Sequence, residues 1–139
     1  MTDTERTLVL LKPDAVERHL IGEIIRRYEA KGLIVRAMEL RTIDVETASK
    51  HYAEHVGRDY YPPLEKFITS GPLVALVLEG RKAIQVVRTM NGKTDCAEAA
   101  PGTIRGDYGT LTNHNLVHAS DCPESAEREI GIWFPDLVA

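Results

Sequence analysis

Apolar residues fall into short blocks along the chain, and their spacing changes from block to block. Residues 7–11, Thr7-Leu8-Val9-Leu10-Leu11, form a nearly continuous apolar run, the pattern of a strand covered on both faces. Residues 73–78, Leu73-Val74-Ala75-Leu76-Val77-Leu78, repeat it. Residues 33–40 alternate loosely and predict another strand, more exposed because it carries Arg36 and Glu39. A short strand is expected over 116–118, ending on His118. Helical spacing separates these strands. Ile21, Ile24, Ile25 and Tyr28 share one helix face, and Gly32 stops that helix. Asp44 reads as the N-cap of a helix carrying His51, Tyr52 and His55, broken by Gly57-Arg58-Asp59-Tyr60-Tyr61-Pro62-Pro63. A short helix is predicted over 64–68, closed by Ser70-Gly71-Pro72, and another over 82–90 with Ala83, Val86, Val87 and Met90 inward. In the last helix Ala126, Ile130, Trp133 and Phe134 form the apolar side. Asp121-Cys122-Pro123-Glu124 before it reads as a capping-box variant with Asp121 as N-cap and Glu124 reaching back. The resulting order, β-α-β-(α)-β-α-loop-β-α, contains βαββαβ. The expected fold class is α+β, a ferredoxin-like four-stranded antiparallel sheet covered by helices.

A chain of 139 residues is expected to form one domain, 1–139. That length buries enough surface to need no disulfide or metal staple. Cys96 and Cys122 sit in polar surroundings and suggest no framework, and no apolar run precedes Thr7. Both features lead to the expectation of a reduced, cytoplasmic protein without a signal peptide. No apolar stretch approaches the length of a membrane span, so no membrane partner is expected. The net charge of −4 makes nucleic acid unlikely as the primary partner. It leaves room for a local cationic cleft.

Candidate chemistry concentrates at strand ends. His118 stands at a strand-to-helix junction, near helix N-terminal N–H groups that favour anions. Pro13 cannot join a sheet ladder, so Lys12 is expected at a strand's edge with its ammonium free for a ligand. Residues 91–115 lack apolar periodicity, and a loop of that length in a small domain is usually functional. Three short patterns compete. His51-Tyr52-Ala53-Glu54-His55 fits H-x-x-E-H, a zinc-peptidase arrangement that needs both histidines on one helix face, but no third ligand is evident. Gly92-Lys93-Thr94 resembles the end of a P-loop, but Val87 stands where the first glycine should be. Arg105-Gly106-Asp107 reads as phosphate contact plus turn rather than an adhesion signal.

Four stretches in order carry a resemblance over nearly the full length: Arg6-Thr7-Leu8-Val9-Leu10-Leu11-Lys12-Pro13-Asp14, Ser70-Gly71-Pro72, Pro101-Gly102-Thr103-Ile104-Arg105-Gly106-Asp107, and Asn115-Leu116-Val117-His118 with Ser120-Asp121. Trp133-Phe134 fits as well. On these the chain resembles the nucleoside diphosphate kinases. The resemblance implies a two-step exchange in which a nucleoside triphosphate, mainly ATP, gives its γ-phosphoryl group to His118 and a second nucleoside diphosphate takes it. It gives Glu129 the role of orienting His118, with Ser120 beside the site. It implies phosphate and ribose contacts from Lys12, Arg58, Arg88 and Arg105, hydroxyl donors at Tyr52 and Thr94, and a pocket position at His55. Asn115 matches a ribose-contacting amide, and Tyr60 and Thr112 match the positions between which the base stacks. Magnesium is implied on the phosphates, touched weakly by Asp121 through water. A homo-oligomer is implied too, with a hexamer expected here.

The residue types suit that chemistry. Loose phosphoryl transfer is catalysed mainly by positioning and electrostatics. An imidazole nucleophile must be neutral and must present one chosen nitrogen. Any one arginine, such as Arg88, reads by itself as a solvated helix face, but four cations from four segments form a pattern. The chain departs from the family at Ala119, where glycine is usual, so strain is expected if that position needs positive φ. Cys96 replaces a common proline, which predicts a less rigid loop, and Tyr60 replaces phenylalanine. The alternative reading is a non-catalytic nucleotide- or partner-binding module on the same fold, which loss of the histidine, lysine or arginines would mark.

Overall fold

The computed structural model describes residues 3–137. The first and last two positions of the expected 1–139 domain lie outside the described residues. Four strands, β1 (Thr4–Leu11), β2 (Ile34–Arg41), β3 (Leu73–Arg81) and β4 (Val117–Ala119), form one sheet in the order β2-β3-β1-β4. Every pairing is antiparallel. The ferredoxin-like arrangement expected from the sequence is the one found.

Side-chain alternation divides the core between the two faces of the sheet. On one face Val9, Leu11, Val74, Leu76, Leu78, Val117 and Ala119 pack with Ile24, Tyr28, Ala83 and Val87. These come from α2 (Ile21–Lys31) and α5 (Ala83–Asn91), with Ala15 of α1 (Pro13–Glu17) beside them. On the other face Leu8, Leu10, Leu73, Ala75 and Val77 pack with Ala48, Tyr61, Ile68 and Trp133. These come from α3 (Val45–His51), α4 (Tyr61–Ile68) and α7 (Pro123–Trp133). Leu10 is the cross-strand partner of His118. Antiparallel partners share a face, so His118 points to the α3–α7 side.

Several boundaries differ from the sequence reading. The helix predicted over 64–68 begins at Tyr61, because Pro62 and Pro63 occupy its first turn, where a missing N–H costs nothing. Asp44 caps α3 as expected, its carboxylate accepting from the Thr47 N–H at 2.8 Å. The helix ends at His51, however, so Tyr52 and His55 lie beyond it. At α7 the N-cap is Cys122, without a side-chain cap bond, rather than Asp121. The stretch 91–115 contains a helix, α6 (Ile104–Tyr108), capped by Thr103, whose Oγ1 accepts from the Gly106 N–H at 3.0 Å. Arg105-Gly106-Asp107 is therefore helical rather than a turn.

Candidate active site

His118 sits near the end of β4, half-buried, where the sheet meets α7. Glu129 lies on the buried stripe of α7 with Ala126 and Trp133. It faces the histidine because that stripe packs on the same side of the sheet. The His118 Nε2–H donates to Glu129 Oε1 at 2.9 Å, since a carboxylate can only accept. Ser120 Oγ donates to the same oxygen at 2.9 Å and accepts from the Leu8 N–H at 3.2 Å. The carboxylate is thereby tied to the central strand. Its second oxygen faces Arg128 at 3.7 Å. With the Nε2 proton held this way, the lone pair of neutral His118 is on Nδ1.

A cleft of about 240 Å³ opens over this group. Lys12, Tyr52, His55, Arg88 and Thr94 line it. Arg105, Asn115, His118, Asp121 and Glu129, also expected from the sequence, line it too, and Ser120 lies behind Glu129. Arg58, Tyr60 and Thr112 are absent from its walls. The cleft is too small to bury a whole nucleotide, and Tyr60, 53 % exposed, stands outside it with its hydroxyl 2.6 Å from His55 Nδ1.

Two cations differ from their expected state. Lys12 is buried rather than free, and its Nζ donates to Asn115 Oδ1 at 2.9 Å. Burial first, and the Arg105 guanidinium second, push the Lys12 ammonium down to about 8. Arg105 is nearly buried and directs its donors to backbone carbonyls: Nε to Asn115, Nη1 to Gly92 and Nη2 to Val117, at 3.1, 2.8 and 2.6 Å. Arg88 donates to the Ala119 carbonyl at 3.3 Å. Burial, followed by the Glu129 charge, raises the Tyr52 hydroxyl above its ordinary value, so it remains a donor.

His51, on the cleft wall, and Trp133 behind it are two residues that the sequence reading left out of the site. Trp133 Nε1–H donates to His51 Nδ1 at 3.0 Å, and the His51 ring stands edge-on to His118 with centroids 4.6 Å apart. Burial, with the nearby cations secondary, holds His51 well below the usual histidine range, so it is neutral. Among the described residues His51, His118 and Glu129 form one group with ligand atoms within 4.8 Å of one another. The tryptophan bond puts the His51 proton on Nε2, and Glu129 holds the His118 Nε2 proton. His51 and His55 do not share a helix, which removes the geometry H-x-x-E-H requires. The signal for His51 was present in that pattern, but its tryptophan partner is remote in sequence.

Two of the three departures can be placed in the fold. Ala119 is not among the positive-φ residues, which are His19, Lys82 and Leu116 apart from glycines, so alanine meets no backbone strain there. Cys96 is buried rather than in polar surroundings, its thiol on the Leu111 carbonyl at 3.2 Å. That bond joins two ends of the loop.

A family model described as nucleoside diphosphate kinase matches residues 5–138. The chain belongs to the nucleoside diphosphate kinase family. It is 80 % identical over 138 residues to the nucleoside diphosphate kinase of Cutibacterium acnes, covering 99 % of this chain and 100 % of that one. To that of a Nocardioides species it is 67 % identical over 132 residues, covering 95 % and 98 %. Among solved structures, a Halobacterium salinarum nucleoside diphosphate kinase in complex with CDP superposes with a TM-score of 0.92 at 50 % identity, covering 95 % of this chain and 88 % of that one. The Aquifex aeolicus enzyme gives 0.92 at 42 %, covering 94 % and 95 %. As a nucleoside diphosphate kinase family member, the chain is a phosphotransferase that passes a γ-phosphoryl group from nucleoside triphosphates to nucleoside diphosphates.

Proposed function

We propose that this transfer is a ping-pong exchange through a phosphohistidine at His118. The observation that carries the reading is the 2.9 Å bond from His118 Nε2–H to Glu129, which leaves Nδ1 as the nucleophile. The Nδ1 lone pair attacks the γ-phosphorus as the bond to the β-phosphate oxygen breaks, and the nucleoside diphosphate departs with that oxygen. A second diphosphate reverses the step. Glu129 fixes the ring and stabilises the positive charge that develops on it, and Ser120 fixes Glu129. Lys12, Arg88 and Arg105 supply positive charge over the phosphates, with Tyr52, Thr94 and Asn115 as neutral donors. His55 borders this polar end. Arg58, Tyr60 and Thr112 act at the nucleotide's other end, where Tyr60 offers a stacking face that tolerates any base.

Magnesium enters on the phosphates. The donors suit an ion that keeps several waters: Glu129 is committed to His118, and Asp121 is a carboxylate on the cleft wall that Ser125 keeps ionised. The chain works in the cytoplasm as a homo-oligomer, a hexamer. Apolar side chains on the exposed edge strand β2 support association between copies.

ATP labelled at the γ-phosphate tests the mechanism on the wild-type chain and His118→Ala in parallel. Expected is label on the wild type only, stable to alkali, lost in acid and discharged by GDP or CDP. Label retained by His118→Ala would place the nucleophile elsewhere.

A further inference from the structure

The backbone just before His118 is held in an uncommon turn. Val117 N–H donates to the Asn115 carbonyl at 2.8 Å, spanning the single residue Leu116, whose φ is +73°. An i-to-i+2 bond around a positive φ is the rare and strained form of γ-turn. Leu116 carries a branched, fully buried side chain and has none of glycine's freedom there. Such a conformation persists only when the surroundings over-determine it. Four polar groups of the turn are held from outside it. The Leu116 carbonyl accepts from the Lys12 N–H at 2.8 Å. Arg105 donates to the Asn115 and Val117 carbonyls on either side. The Leu116 N–H donates to Asp14 Oδ2 at 3.1 Å.

We infer that Asp14 is a positioning residue for phosphoryl transfer: its carboxylate holds the Leu116 turn that aims His118. Of the three clamps it alone acts through a side chain that does not line the cleft. Lys12 acts here through its backbone, and the Arg105 side chain also lines the cleft. Asp14 does not line the cleft; there its carboxylate acts only through its charge, which helps keep Lys12 protonated. β4 cannot hold His118 unaided, because it pairs with β1 through three residues only. With Asp14 truncated, the Leu116 N–H is buried without an acceptor. The turn then relaxes toward negative φ and carries the His118 ring away from its line with Glu129.

The inference rests on His118 being the acceptor, and the test separates the two. Single-turnover labelling from γ-labelled ATP is measured for wild type, Asp14→Ala and Asp14→Asn, with ADP affinity measured on each. Asp14→Ala is expected to take up label about 10²-fold more slowly, with ADP affinity within about twofold of wild type. Asp14→Asn, whose amide oxygen accepts the same N–H, restores most of the rate. Circular dichroism checks folding. If Asp14→Ala does not fold, Asp14→Glu replaces it, with slower labelling expected because the acceptor is displaced. A wild-type rate in folded Asp14→Ala or Asp14→Glu, an equal loss of ADP affinity, or an asparagine variant no faster than the variant lacking the acceptor would overturn the inference while leaving the phosphohistidine intact. Absence of label at His118 in the wild type overturns both.

Discussion

Lys12 has a pH signature of its own. Its folded pKa of about 8 lies below the ordinary 10.5. Between those values the unfolded chain binds more protons, so stability rises with pH across the window, and below it the charged, buried ammonium costs stability. A phosphate arriving beside Lys12 favours the charged form. Nucleotide binding is therefore expected to take up a proton above pH 8 and much less at pH 7. Calorimetry in two buffers of different ionisation enthalpy measures this, and identical heats in both buffers at pH 9 would contradict it. That His118, Glu129 and Lys12 share one cleft was legible from sequence, because they lie in, or at a fixed distance from, recognisable stretches. Asp14 and His51 were not assigned to the site. Each acts through one hydrogen bond to a partner remote in the chain, which leaves no periodic trace.

Strands β1 and β3 were readable because burial on both faces leaves an uninterrupted apolar run. Helix starts were less readable. Pro62-Pro63 looks like a breaker whether it precedes a helix or opens one, and α6 has too few residues for its spacing to show. α6 nevertheless carries Arg105 to the Leu116 turn, and Thr103 secures its start. Thr103 Oγ1 accepts from the Gly106 N–H and donates to the Ala100 carbonyl at 2.6 Å. Thr103→Ala should cost about 1 kcal/mol in urea unfolding, and Thr103→Ser only a few tenths. Equal stability of the three proteins would show that the cap contributes nothing.

The sheet ends in an edge that invites company. β2 is an outer strand, and Ile34, Met38 and Leu40 on it are 49 %, 60 % and 61 % exposed. A monomer rarely leaves such an edge bare. Replacing Met38 and Leu40 together by lysine should lower the sedimentation mass with little loss of the monomer's fold. An unchanged mass would exclude β2 from the contact. The opposite edge carries His118 and the cleft, and there the pairing of Leu10 with His118 has a further consequence. Parity along β4 decides which side of the sheet receives the imidazole: even-numbered 118 meets α7, whereas 117 and 119 enter the other core. Adding or removing a single codon in β4 would invert the strand, placing the histidine among aliphatic side chains and a valine or alanine under the phosphates. Inheritance at this edge is therefore strict about count as well as about kind.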